Sequence, residues 1–154
     1  MVAGAPYLSD DCVPLDAAGH AVAVPFGICL KAPGWAAAEA VLPEAATAPV
    51  FACAERGPCR YVPPRRVAER PLPVAAFVFP SYAPEAPLAL APMRPAATLA
   101  ALVAGRAWLC REPAALATAL ATIANTPAWT LDYGTTADAL TAIAGLTAAR
   151  RAAE

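Results

Sequence analysis

Pro43, Pro49, Pro58, Pro63, Pro64, Pro71 and Pro73 punctuate residues 43–73 of this chain. Each proline removes a backbone donor, fixes its own φ and restricts the residue before it. Long regular elements are therefore excluded from this stretch, although Cys59–Val62 predicts a short strand within it. Regular structure has to be built on either side, and the two sides read differently.

On the N-terminal side, Cys12–Leu15 and Ala21–Phe26 flank the turn Asp16-Ala17-Ala18-Gly19 and predict a hairpin. Pro14 and Pro25 push those strands towards an edge or a strand end. Gly27–Lys31 continues extended until Pro33-Gly34 stops it. Trp35–Leu42 predicts a short helix, ended by Pro43. On the other side, Val74–Pro80 (VAAFVFP) is apolar throughout, as a strand buried on both faces is. Leu88–Ala91 predicts a shorter strand. Pro95 suits the first turn of a helix, and Leu99, Leu102 and Val103 carry helical spacing to Gly105. Over Glu112–Ala124, Leu116, Leu120 and Ile123 recur at i, i+4 and i+7, and Asn125-Thr126-Pro127 ends the helix. Ala128–Tyr133 alternates as a strand does. Thr135–Arg151 predicts the last helix, with a threonine cap and Asp138 in its first turn. The expectation is a single domain over 1–154 of α/β class, α+β-like in its order: a β-rich half, then α-β-α.

The chain is 59% hydrophobic and only 15% charged, below the roughly 25% charged share usual for soluble domains. That favours a large buried share, or apolar surface that meets a partner. A net charge of −1 gives no basic field to attract nucleic acid. Ten of the eleven basic residues are arginine, which leaves Lys31 as the single lysine. The cysteines are Cys12, Cys29, Cys53, Cys59 and Cys110, an odd number without a CxxC pair, and there is one histidine. This pattern argues against zinc and disulfides and for buried, reduced thiols in the cytoplasm. No basic leader followed by an apolar core is visible, and no apolar run approaches the length of a membrane span.

The candidate chemistry lies in Tyr7-Leu8-Ser9-Asp10-Asp11. Two carboxylates at the end of a short buried strand are costly unless a cation or a proton offsets them. Nucleotide enzymes use such acids to hold magnesium or to take a proton from an attacking hydroxyl. The plain alternative is a turn or capping pair, where aspartate is common. Arg56, Arg60, Arg65, Arg66 and Arg70 cluster with Glu55 and Glu69, which reads as a solvated, partly paired loop or as an anion contact. His20 follows Gly19 and reads as a turn residue. Trp35, Trp108 and Trp129 read as core or interface. Ser9 and Ser81 lie in no nucleophile motif.

Three blocks in series, YLSDDCVPLD with VPFGICLK, AAFVFPSYAPEAPLALAPM, and PAWTLDYGTTADAL, resemble the C-terminal two-thirds of the HPr serine kinase/phosphorylase family. The shorter HPr-kinase-like proteins are the nearer resemblance. It implies a P-loop core of the phosphoenolpyruvate-carboxykinase kind. It also implies ATP and Mg²⁺ as cofactors, and transfer to the serine of a protein or peptide. Relatives of the full type are hexamers, so self-assembly belongs to the expectation. The family's paired acids fall on Asp10 and Asp11, one as metal-side carboxylate and the other as general base, with neither role assigned to a particular acid. Lys31 falls where the shorter relatives carry a basic residue, and reads either as a contact to phosphate or acceptor or as an ordinary strand-end surface lysine. The chain has no GxxxxGK[ST]. The resemblance thus implies a kinase-like chain truncated ahead of these acids and inactive alone. The alternatives are a non-catalytic peptide- or protein-binding module on that scaffold, and an unrelated α+β domain.

Overall fold

The computed structural model describes residues 5–54 and 57–151. The chain divides into two compact units. Of the described residues, the first holds 5–14, 21–54 and 57–72, the second 15–20 and 73–151.

The first unit is built on a three-stranded antiparallel sheet. Its strands are β1 (Ile28–Lys31), β2 (Val50–Cys53) and β3 (Gly57–Val62), in the order β1-β3-β2. The expected β1 and β3 are present, whereas β2 lies in the stretch that the prolines marked as irregular. Pro58 shows how a proline fits the central strand. It pairs in register with Ala52 of β2, while the β1 ladder reaches only to Lys31 opposite Cys59. At Pro58 the strand has one neighbour, so one missing N–H is tolerated.

Ile28 and Leu30 of β1 pack with Val62 of β3 against Leu42 and Ala45. These last two come from the segment after α1 (Trp35–Glu39). Ala45 sits in a 3₁₀ turn over Pro43–Thr47. Arg60 lies on this covered face, only 15% exposed. Its Nη1 donates to Glu39 Oε1 at 2.6 Å and to the Ala45 carbonyl at 2.9 Å. Its guanidinium stacks 4.1 Å from the centre of the Trp35 ring. Trp35 is in turn anchored by its indole N–H, which donates to the Leu30 carbonyl at 2.9 Å.

The second unit has β4 (Phe77–Tyr82), β5 (Ala89–Met93) and β6 (Ala128–Tyr133) in the order β4-β6-β5. β4 runs parallel to β6 and β5 antiparallel to it. α2 (Pro95–Ala104) and α3 (Pro113–Asn125) connect β5 to β6, and α4 (Thr136–Arg151) follows β6. The helices begin as their sequences dictate. Glu112 caps α3, its carboxylate accepting from the Ala114 and Ala115 N–H groups at 3.1 and 2.6 Å. Thr135 accepts from the Asp138 N–H and donates to its carboxylate, a reciprocal cap. Leu131, at the middle of β6, is fully buried.

Three expectations are corrected here. The VAAFVFP strand begins at Phe77, extends to Tyr82 and forms a half-exposed edge rather than a strand buried on both faces. Pro80 and Pro92 sit on the two edge strands, where a lost donor costs no ladder bond on the solvent side. The hairpin strands Cys12–Leu15 and Ala21–Phe26 shrink to a turn with few ladder bonds, the only regular piece being His20–Ala21. Trp108 is 93% exposed, which removes the core half of its core-or-interface reading and leaves the interface half untouched.

The turn itself is tightly made. Asp16 Oδ1 accepts from the Ala18 and His20 N–H groups at 2.9 and 2.8 Å. These backbone donors, the His20 N–H foremost, hold the Asp16 carboxyl below its ordinary value. The turn is therefore supported above the unfolded carboxylate pKa and loses that support as pH falls through the lowered folded value. His20 stays a turn residue, and its Nδ1 lies 3.6 Å from Asp16 Oδ2.

Gly19 has φ +80°, and a Cβ placed there would stand 2.4 Å from the Thr122 hydroxyl oxygen on α3. Gly19→Ala is expected to lower stability by about 2 kcal/mol, combining left-handed strain and steric collision. Adding Thr122→Ala should recover roughly half of that loss, because it removes the collision and leaves the strain. Urea midpoints of the two variants check this, and an unrescued loss would assign the whole effect to the backbone.

Candidate functional site

Tyr7 and Leu8 are extended and held from two directions. Tyr7 N–H donates to the Arg66 carbonyl at 2.8 Å, and the Ala68 N–H donates to the Tyr7 carbonyl at 2.9 Å. The Leu8 carbonyl accepts from the Val24 N–H at 2.9 Å. The expected strand is reduced to a single parallel bridge, Tyr7 with Val67. Asp10 and Asp11 follow in a bend, closed by the Ser9 hydroxyl, which accepts from the Cys12 N–H at 3.4 Å.

This bend delivers both acids to one cleft of about 270 Å³, lined by Asp10, Asp11, Phe26, Gly27, Cys29 and Tyr61. Asp10 Oδ2 accepts from the Cys29 N–H at 2.9 Å. Strand β1 is at the edge of its sheet, so this N–H faces away from β3 and would otherwise need water. Asp10 therefore caps the sheet edge with one oxygen, and its Oδ1 makes no further hydrogen bond among the described residues.

Side chains alternate along β1. Ile28 and Leu30 face the packed core, so Cys29 and Lys31 share the opposite face. Tyr61 is the register partner of Cys29. Lys31 is exposed and lies outside the cleft lining. The structure thus brings Asp10 and Asp11 together and leaves Lys31 on the same strand face, two residues on.

Tyr7 was not singled out from the sequence. Its hydroxyl oxygen is enclosed and has no hydrogen-bond partner among the described residues. Burial, followed by the negative charges of Asp10 and Asp11, raises its pKa above the ordinary tyrosine value. The signal was available in principle, since an aromatic three residues before a pair of acids can feel their field. Phe26 and Tyr61 were also missed as cleft residues, because neither sits near the acids in sequence.

The other candidates sort differently. Arg60 belongs to the packed face. Arg65 forms a two-pronged pair with Glu44, Nε to Oε1 at 2.7 Å and Nη2 to Oε2 at 2.5 Å. Arg56 and Glu55 lie outside the described residues, as does the side chain of Cys53. Cys59 is buried, Cys29 half-buried, and Cys12 and Cys110 exposed, which corrects the expectation that every thiol is buried.

Among the described residues, no three His, Cys, Asp or Glu side chains gather as a metal-binding group. Two carboxylates in a cleft nevertheless fit Mg²⁺, which keeps several waters and takes one or two protein carboxylates beside substrate phosphates. No described helix is long and apolar enough to cross a membrane.

Fold and site together define a mixed α+β protein with a paired-carboxylate cleft at a sheet edge. Comparison with known proteins finds no family model, no curated protein and no solved structure that matches the chain.

Proposed function

We propose that this chain carries the acid side of a phosphoryl-transfer site, on an α/β scaffold related to HPr serine kinase/phosphorylase. The observation that carries the reading is the cleft that receives both Asp10 and Asp11, one of them oriented by the Cys29 N–H. One carboxylate would hold Mg²⁺ against phosphate oxygens of ATP. The other would accept the proton of a serine hydroxyl on a protein or peptide. Lys31, on the Cys29 face of β1, is the cation this reading assigns to phosphate or acceptor.

Phosphoryl transfer also needs donors around the β- and γ-phosphates. Losing one positioned donor typically costs a hundredfold or more in rate. The 154 residues contain no GxxxxGK[ST] cradle. The expected behaviour is therefore metal binding without turnover. Purified protein should show no Mg²⁺-dependent ATP hydrolysis or transfer. Mn²⁺ in the millimolar range, as suits a site with few charged ligands, should broaden the amide signals of Asp10, Asp11 and Cys29. Asp11→Asn should remove that broadening. Unbroadened signals in the wild type would sink the metal-site reading. Turnover lost in Asp10→Ala would overturn the claim that the cradle is indispensable.

A second reading is a binding module for a peptide or protein, without catalysis. Phe26 is 66% exposed and Tyr61 40% exposed at the cleft, and Phe51 packs edge-on to Tyr61 at 5.8 Å. Such an apolar wall suits a side chain of a partner. This reading predicts no Mn²⁺ effect, so the same titration separates the two.

A further inference from the structure

Trp108 stands out from the packing of the second unit, 93% exposed on the loop between α2 and α3. The loop is held at both ends. Beyond α2, the Gly105, Arg106 and Ala107 N–H groups donate to the Ala101, Val103 and Leu102 carbonyls at 2.9, 3.0 and 2.9 Å. At the far end Glu112 caps α3. Arg106 and Arg111 flank the indole and are exposed. Neither makes a side-chain hydrogen bond or ion pair among the described residues. Holding so large an apolar group in water is unfavourable, and tryptophan with arginine is the usual composition of an interface anchor.

We infer that Trp108 of one copy docks in the Asp10–Asp11 cleft of a second copy of this chain. The two surfaces are complementary in kind. The cleft carries two carboxylates and the loop two guanidiniums. Asp10 turns one oxygen to the Cys29 N–H and keeps Oδ1 for a guanidinium donor. Phe26 and Tyr61, 66% and 40% exposed, supply aromatic surface for an indole to pack on. A volume of about 270 Å³ is below that of pockets enclosing a drug-sized ligand, roughly 300–1,000 Å³, and suits a single large side chain. A net charge of −1 sets up little repulsion between copies. Loop and cleft are different patches, so the contact is heterologous and association runs head to tail. The inference concerns the cleft of the proposed metal site, but rests on its size, charge and aromatic wall and does not need Mg²⁺ to bind there.

Sedimentation of the full chain over a concentration series tests it, with the Trp108 indole N–H followed by NMR in parallel. The mass is expected to rise with concentration, with half-association near about 0.1–1 mM, as suits a small transient interface. Association should weaken at higher salt, and the indole signal should shift along the same curve. Trp108→Ala and Phe26→Ala should each weaken association at least about tenfold. Both side chains are largely exposed, so both variants should melt like wild type. Mixed together they should associate again, because Phe26→Ala keeps the loop and Trp108→Ala keeps the cleft, and the mixture should stop at one-to-one dimers. A chain that stays monomeric overturns the inference. So does association untouched by Trp108→Ala, a mixture that fails to associate, or an indole shift that ignores concentration. A monomer whose Trp108 signal broadens on vesicles of anionic lipid would assign the loop to a membrane surface and overturn it too. Absent Mn²⁺ broadening with association intact would sink the metal reading and leave this contact standing.

Discussion

Leu131→Ala is expected to lower stability by about 3–4 kcal/mol, the largest loss among the substitutions considered. Leu131 has no exposed surface and occupies the central strand, opposite Pro80 on one side and Leu90 on the other. A central strand cannot shift towards a void without breaking two ladders, so the cavity stays open and the full cavity penalty applies. Leu90 is the control. It lies on the same face of the same sheet but is 38% exposed, so Leu90→Ala should cost less than about 1.5 kcal/mol. Urea unfolding followed by circular dichroism measures both. Equal losses would mean that the packing centre of the second unit lies elsewhere.

Arg60→Ala is expected to lower stability by about 2 kcal/mol. The substitution leaves the Ala45 carbonyl without its donor, Glu39 without its cation, and the Trp35 face bare. Glu39 is 38% exposed, so water recovers part of the loss, and the figure sits below that for a fully buried pair. Arg60→Lys should recover only part, because an ammonium cannot reproduce a fork that donates while stacking on an indole. Arg65→Ala should change the midpoint far less, since its pair with Glu44 is solvent-screened. A melting series over these three variants and wild type checks the order. If Arg65→Ala costs as much as Arg60→Ala, the distinction between a packed arginine and a surface arginine fails.

These arginines also show what could be read from the sequence. Arg60 and Arg65 are five residues apart in one charged, proline-rich stretch, and nothing local separates them. Their difference arises from the parity of β3, which turns Arg60 towards α1, and from Glu39 and Glu44, which arrive from another segment. The helices were legible because their signals are local. Glu112 before Pro113 and Thr135 before Asp138 carry the caps within a few residues. Strand β2 was not legible. Val50–Cys53 gains its ladder only from β3, and the prolines around it argued for irregular backbone. The sequence singled out Asp10 and Asp11, and the structure places both in one cleft. The partners that shape that cleft, Phe26, Cys29 and Tyr61, come from residues that only the sheet brings near.

The parallel pairing of β4 with β6 has a kinetic consequence. Phe77 meets Ala128, so the loop between them contains β5, α2 and α3. Met93 also meets Ala128, across a shorter stretch of chain and in antiparallel register. Loop closure favours the shorter connection, and non-local parallel pairs form slowly. The second unit should therefore assemble β5, its helices and β6 first, and zip β4 on last. While β4 is away, one side of β6 carries unpaired N–H and C=O groups beside Leu131, and in that interval the chain is most open to pairing with another copy of itself.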